Sequence, residues 1–149
     1  MTEQKLTIGP TLTVRRTFPS SRLKIFRAWT TPQALEKWFK PFGMSITVAY
    51  LELRVGGSFR FDYLESDACT SSVTGTYLEI VEPQKLSFTW SSPSLDHNET
   101  VVTIRFEERE NGTEMILTQS GFLQDELVGK HVQGWQSAFE VLDRVLASE

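Results

Sequence analysis

The chain has 149 residues, 40% of them hydrophobic and 23% charged, which is the composition of an ordinary globular protein and room for one domain, 1–149, with a real core. Its formal charge of −4 gives no attraction for nucleic-acid phosphate or an anionic membrane surface, and no Lys/Arg cluster creates one locally. Cys69 is the only cysteine, so no internal disulfide can form; the start of the chain lacks an apolar leader, and no apolar run approaches the ~20 residues of a membrane span. The expected compartment is the cytoplasm.

The first extended segment is Pro10–Phe18. Its alternation puts Leu12, Val14, Arg16 and Phe18 on one face. Pro19-Ser20-Ser21 ends it, and either serine can cap a short helix over Arg22–Thr30, with Leu23, Phe26 and Trp29 at helical spacing. Thr31-Pro32 is a fresh helix start, and the second helix, Pro32–Phe39, stops before Pro41. Strands and turns follow. Ile46–Leu53 is extended, Gly56-Gly57 turns, and Ser58–Leu64 presents Phe59, Phe61 and Tyr63 on one face. The polar stretch Glu65–Ser72, with Cys69 inside it, reads as a hairpin loop. Val73–Val81 is the next run; on simple alternation Tyr77 and Glu79 share a face with Gly75 and Val81. Lys85–Ser91 groups Leu86, Phe88 and Trp90. Ser92–Asn98 is a loop in which His97 reads as solvated. Glu99–Glu107 groups Val102, Ile104 and Phe106, Asn111-Gly112 is a hairpin signal, and Thr113–Gly121 groups Met115, Leu117 and Gln119.

The last segment, Leu123–Ala147, is the longest helix. Leu127, Val128, His131, Val132, Trp135, Ala138, Phe139, Leu142, Val145 and Leu146 form one broad apolar stripe. The only large apolar surface left to receive it is the inner face of the sheet. A long helix touches a curved sheet along a line, so space remains beside it unless large side chains fill it. Phe59, Phe61, Tyr63, Phe88, Trp90, Phe106 and Trp135 can either pack solidly or line a cavity of roughly 300–1,000 Å³, the usual range for ligand sites. Periodicity leaves both open.

Several short stretches carry a resemblance that runs from the first strand to the last helix. They are Arg16-Thr-Phe18, Ile25-Phe-Arg-Ala-Trp29 with Thr31-Pro32, Trp38-Phe39-Lys40-Pro41, Gly56-Gly57-Ser-Phe59, Gly75-Thr-Tyr77-Leu-Glu79-Ile-Val81-Glu-Pro83, Leu86-Ser-Phe88-Thr-Trp90 and His131-Val-Gln-Gly134-Trp135. In this order they resemble the START/Bet v1-like (helix-grip) superfamily, and within it proteins similar to the C-terminal domain of the activator of the Hsp90 ATPase. The resemblance implies an α+β fold in which a curved antiparallel sheet of about six or seven strands wraps a long C-terminal helix, with two short helices after the first strand and a cavity between sheet and helix. Related proteins bind lipids, sterols or polyketide-like molecules, act on aromatic precursors, or assist a chaperone. Fold alone does not select among these.

Three functions are therefore carried forward. The first is binding of a small hydrophobic or aromatic molecule, without cofactor or metal, in a cavity lined by Phe59, Phe61, Tyr63, Tyr77, Phe88, Trp90, Phe106, Gln119, His131 and Trp135. The second is a cyclase, hydratase or hydrolase, for which His131 with Glu79 or Tyr77 is the available proton-transfer set. The third is an interaction role, as a homodimer or beside a chaperone, using Phe39, Phe42 and Met44 as an apolar patch. His131 can be a core histidine bonded to Gln119 or Glu79, or a polar anchor of a ligand. Glu79, if inward, needs a partner such as Arg16 or His131; if outward, it is solvated. Gly134, in mid-helix, would be explained by close approach of another element or a ligand. Two histidines and one cysteine far apart give no zinc spacing, and no phosphate-binding glycine loop or nucleophile elbow is present.

Overall fold

The computed structural model describes residues 10–65, 68–96 and 98–148. Seven strands form one antiparallel sheet: β1 Leu12–Phe18, β2 Ser45–Leu51, β3 Ser58–Glu65, β4 Ala68–Val81, β5 Lys85–Trp90, β6 Thr100–Arg109 and β7 Gly112–Ser120. Their spatial order is β1-β7-β6-β5-β4-β3-β2. Between β1 and β2 lie two short helices, α1 Arg22–Thr30 and α2 Pro32–Trp38, and a tight turn at Pro41–Gly43. The long helix α3, Asp125–Ala147, packs on the sheet. No helix among the described residues is long and apolar enough to cross a membrane.

Local chemistry accounts for the helix ends. The Ser21 hydroxyl accepts from the Lys24 amide and so caps α1. Pro32 opens α2, where a missing N–H costs nothing. Burial alternates with period two along β6 and β7, most of β1 and the first half of β3; in β5 the residues alternate in polarity, but Ser87 and Thr89 are buried as well. Leu12, Val14, Phe18, Phe59, Phe61, Leu86, Phe88, Trp90, Val102, Ile104, Phe106, Met115 and Leu117 are all buried on the inner face.

Two expectations need correction. Cys69 is not in a loop: Leu64 pairs with Cys69 and Glu65 with Ala68, so most of the polar stretch is strand. Its polarity marks a ribbon that runs past the core with both faces near water, and Cys69 there is exposed. The second correction concerns Glu79. The β4–β5 register shifts between Tyr77 and Glu79. One extra residue on a strand turns everything after it to the other face. Tyr77 is therefore buried, whereas Glu79 points outward and pairs with Lys85 at 2.9 Å. His97 lies outside the described residues.

The helix stripe divides in two. From Gly134 onward the inward positions Trp135, Ala138, Phe139, Leu142 and Leu146 are buried. Before it, Leu127, Val128, His131 and Val132 are only half-buried. Arg16 on β1 holds the other end, reaching Asp143 of α3 at 3.0 Å. The C-terminal half of the helix is thus the more deeply seated, while Leu127, Val128 and Val132 touch the core and keep part of their surface exposed, as Val145 does near the other end.

Candidate functional site

The space under the N-terminal half of α3 is a cavity of about 370 Å³. Its inner wall is Trp90 on β5 and Trp135 on α3, with ring centroids 5.1 Å apart. Phe39, at the end of α2, meets both: 5.8 Å and edge-on to Trp90, 5.8 Å from Trp135. Tyr63 on β3 extends this wall, 6.4 Å from Phe39. Pro41, Phe42 and Met44 form one rim, Ser71, Ser92 and Pro93 another, and Leu127, Lys130, His131 and Gly134 the helix side.

A buried chain of hydrogen bonds sets the two tryptophans. The Trp135 indole Nε1–H donates to Gln119 Oε1 at 2.9 Å. Gln119 Nε2 donates to Thr100 Oγ1 at 2.9 Å, and Thr100 donates to the carbonyl of Trp90 at 2.8 Å. Gln119 and Thr100 are fully buried, so each polar atom needs its partner. Gln119 serves Trp135, not His131.

His131 is held from its own helix. Its Nδ1 lies 2.8 Å from the carbonyl of Leu127. A carbonyl only accepts, so Nδ1 carries the proton and Nε2 is left as an acceptor. Burial is the main influence on this imidazole and pulls its pKa below the usual histidine value; the Leu127 carbonyl opposes that shift, and the nearby Lys130 charge adds to it. At neutral pH it is therefore uncharged. Phe122 packs edge-on against it at 5.1 Å. The Tyr63 hydroxyl, with its pKa pushed up by burial, likewise stays protonated.

The turn at Pro41–Gly43 is fastened to α3. Phe42 sits at φ 56°, in the left-handed region that a bulky residue rarely adopts. Its amide donates to the Ser137 hydroxyl at 2.7 Å. Its ring lies over Gly134: a Cβ added there would meet Phe42 Cε2 at 3.4 Å, an ordinary contact. The expected close approach exists, but it leaves room for a methyl group.

Of the residues singled out from sequence, Tyr63, Trp90, His131 and Trp135 line this cavity. Phe59, Phe61, Tyr77 and Phe88 form a packed aromatic layer behind it, with Phe59 stacked on Phe61 at 4.9 Å and edge-on to Phe88 at 5.4 Å. Phe106 lies in a different part of the core, edge-on to Phe26 at 5.6 Å. Arg16 is tied to Asp143, twelve residues beyond His131, or about 18 Å along the helix. Glu79 is on the outer face. His131 is thus brought together with neither Glu79 nor Arg16, and no carboxylate among the described residues lines the cavity. No group of three or more potential metal ligands exists among the described residues. Phe39, Phe42 and Met44 do not form one exposed apolar patch. Phe39 is buried, while Phe42 is 61% exposed at the cavity rim. Lys130, Ser71 and Ser92 also line the cavity, and polar residues on mixed faces carry no periodic signal in the sequence.

The model of the family described as activator of Hsp90 ATPase homolog 1-like protein matches residues 19–147. The chain belongs to this family. Family membership also places it in the Bet v1-like superfamily. Solved structures agree on the fold. Protein CV1439 from Chromobacterium violaceum matches with a TM-score of 0.82 at 24% identity, covering 91% of this chain and 95% of that one. A Rhodobacter sphaeroides protein matches with 0.82 at 24% identity, covering 95% and 97%. Protein MLL2253 from Mesorhizobium loti matches with 0.78 at 25% identity, covering 93% and 98%. A comparison with curated proteins gives no match.

Proposed function

We propose that this member of the family binds a small, mainly aromatic molecule in the cavity under the N-terminal half of α3. The observation that carries this reading is the division of the helix stripe. Most of the C-terminal half is seated, with Val145 half-buried at its margin, whereas Leu127 and His131 of the equally apolar N-terminal half are left half-buried over a space of about 370 Å³. Half-buried Leu127, which lines that space, forgoes part of the roughly 1.5–3 kcal/mol that full burial of such a side chain contributes. A ligand entering the space would complete its burial. The size lies in the ordinary range for ligand sites, and the walls are rings with a few polar groups between them, the pattern that orients a bound molecule.

The interaction reading draws on Phe42 and Met44. Both edge this same cavity, so their exposure is accounted for by its mouth. The enzyme reading needs a proton-transfer pair, and among the described residues no carboxylate stands beside His131 in the cavity.

Native mass spectrometry of the purified protein, with and without N-phenyl-1-naphthylamine, tests the proposal. A co-purified small molecule, or a saturable one-to-one complex with the probe weakened by Trp90→Ala, is the expected result. A protein that arrives empty and takes up no probe would sink it.

A further inference from the structure

Resting on the ligand reading above, we propose that the occupant is an aromatic acid whose anionic group meets Lys130 and whose ring system offers a hydrogen-bond donor to His131. The argument begins with charge. Acidic residues outnumber basic ones in this chain, yet among the described residues the cavity lining contains no Asp or Glu and one Lys. Lys130 has no carboxylate within ion-pair distance among the described residues, although Glu126 stands one helical turn before it. Most other cations near the sheet and its loops are paired, Arg16 with Asp143 and Lys85 with Glu79 among them. A lysine at an apolar rim lays its stem on the wall and keeps its ammonium at the water boundary. An unpaired cation beside low-dielectric aromatic walls attracts an anion more strongly than it would on open surface.

His131 asks for the opposite partner. Its Nδ1–H is committed to Leu127, so Nε2 can only accept. Burial and the Lys130 charge both keep it from taking a second proton. An anionic oxygen placed on Nε2 would face a lone pair; a hydroxyl or amine hydrogen would be satisfied. A donor at His131 and an anion one residue away at Lys130 describe a hydroxyaryl or arylamino acid. Phe39, Tyr63, Trp90 and Trp135 supply the stacking faces.

Two fluorescent probes separate the charge from the pocket. 1-Anilinonaphthalene-8-sulfonate and N-phenyl-1-naphthylamine share one arylamine skeleton, and only the first carries an anion. Both are titrated into the wild-type protein, Lys130→Gln and, as a control, Lys37→Gln, an exposed lysine on α2 away from the cavity. Lys130→Gln is expected to weaken the sulfonate by about two- to tenfold and leave the neutral probe unchanged, with Lys37→Gln affecting neither. Raising salt should weaken the sulfonate on the wild type and not on Lys130→Gln. Equal effects on both probes, or none on the sulfonate, overturn the aromatic-acid proposal while leaving the pocket standing. Failure of both probes to bind the wild type overturns the pocket reading and this one with it. Melting curves of each variant confirm that the exposed substitutions leave the fold intact.

Discussion

The indole nitrogen of Trp135 donates to the amide oxygen of Gln119 across 2.9 Å, and this bond ties the helix wall of the cavity to the middle of the sheet. Through Thr100 the same chain reaches the backbone of Trp90, the facing wall. Gln119→Leu keeps the volume and leaves the Trp135 N–H unpaired in a buried site. A loss of about 1–3 kcal/mol is expected in chemical denaturation. The indole should also lose its fixed orientation, seen as a change in near-ultraviolet circular dichroism. An unchanged spectrum would show that packing alone sets the ring.

Two aromatic truncations should behave differently. Phe106 is fully buried against Phe26 and away from the cavity. Phe106→Ala should cost about 3–5 kcal/mol and leave the affinity of any folded protein for N-phenyl-1-naphthylamine unchanged. Trp90→Ala removes a cavity wall that already faces open space on one side. It should cost less stability and change probe affinity more. Equal stability costs with no difference in binding would contradict the distinction between core and lining.

Gly134 offers a test in which stability and binding move apart. A methyl group there meets only the edge of the Phe42 ring, at ordinary contact distance. Glycine in a helix interior is worth about 0.5–1 kcal/mol less than alanine. Gly134→Ala should therefore raise stability by up to about that amount. The added methyl narrows the cavity, so probe affinity should fall. A variant that is both more stable and binds as well would remove the ligand as a reason for glycine at this position.

His131 couples the cavity to pH. Burial holds its folded pKa below 6.5, so the unfolded chain takes up the proton more readily. Stability is therefore lost as pH falls from about 7 into the range below 6.5, until the folded pKa is passed. His131→Phe abolishes this contribution and should flatten the stability profile there; the carboxylates dominate at lower pH. The same variant removes the Nε2 acceptor and should weaken an arylamine or phenol by about two- to tenfold. Denaturation midpoints and probe titrations between pH 7 and pH 5, at about half-unit steps, check both. An unaltered profile would mean that the imidazole is more hydrated than its contacts with Leu127 and Phe122 suggest.

Most of the architecture is legible in the residues because backbone periodicity is a local property. Leu86, Phe88 and Trp90 alternate, and any strand carrying them must bury one side. The stripe from Leu127 to Leu146 recurs at helical spacing, and its length alone names the helix that the sheet must grip. The family motifs add the order of the elements. Glu79 marks the limit of this reasoning. One extra residue before it in β4 turns it outward, and nothing in the alternation of Tyr77, Glu79 and Val81 announces the shift.

Tertiary structure alone decided the site. The stripe is as apolar at Leu127 and Val128 as at Phe139 and Leu142, yet the latter two are buried and the former two stay half-buried. How far a helix lies from a curved sheet depends on the whole surface beneath it and on the Pro41–Gly43 turn fastened through Ser137. Lys130 and the free nitrogen of His131 acquire meaning only there. Their sequence neighbours do not say which charges are paired, and a hydrogen bond to Leu127 rather than to Gln119 is a matter of rotamer. Periodicity tells each side chain which way to face; the separation between two faces is a property of the assembled molecule, and the cavity is made of that separation.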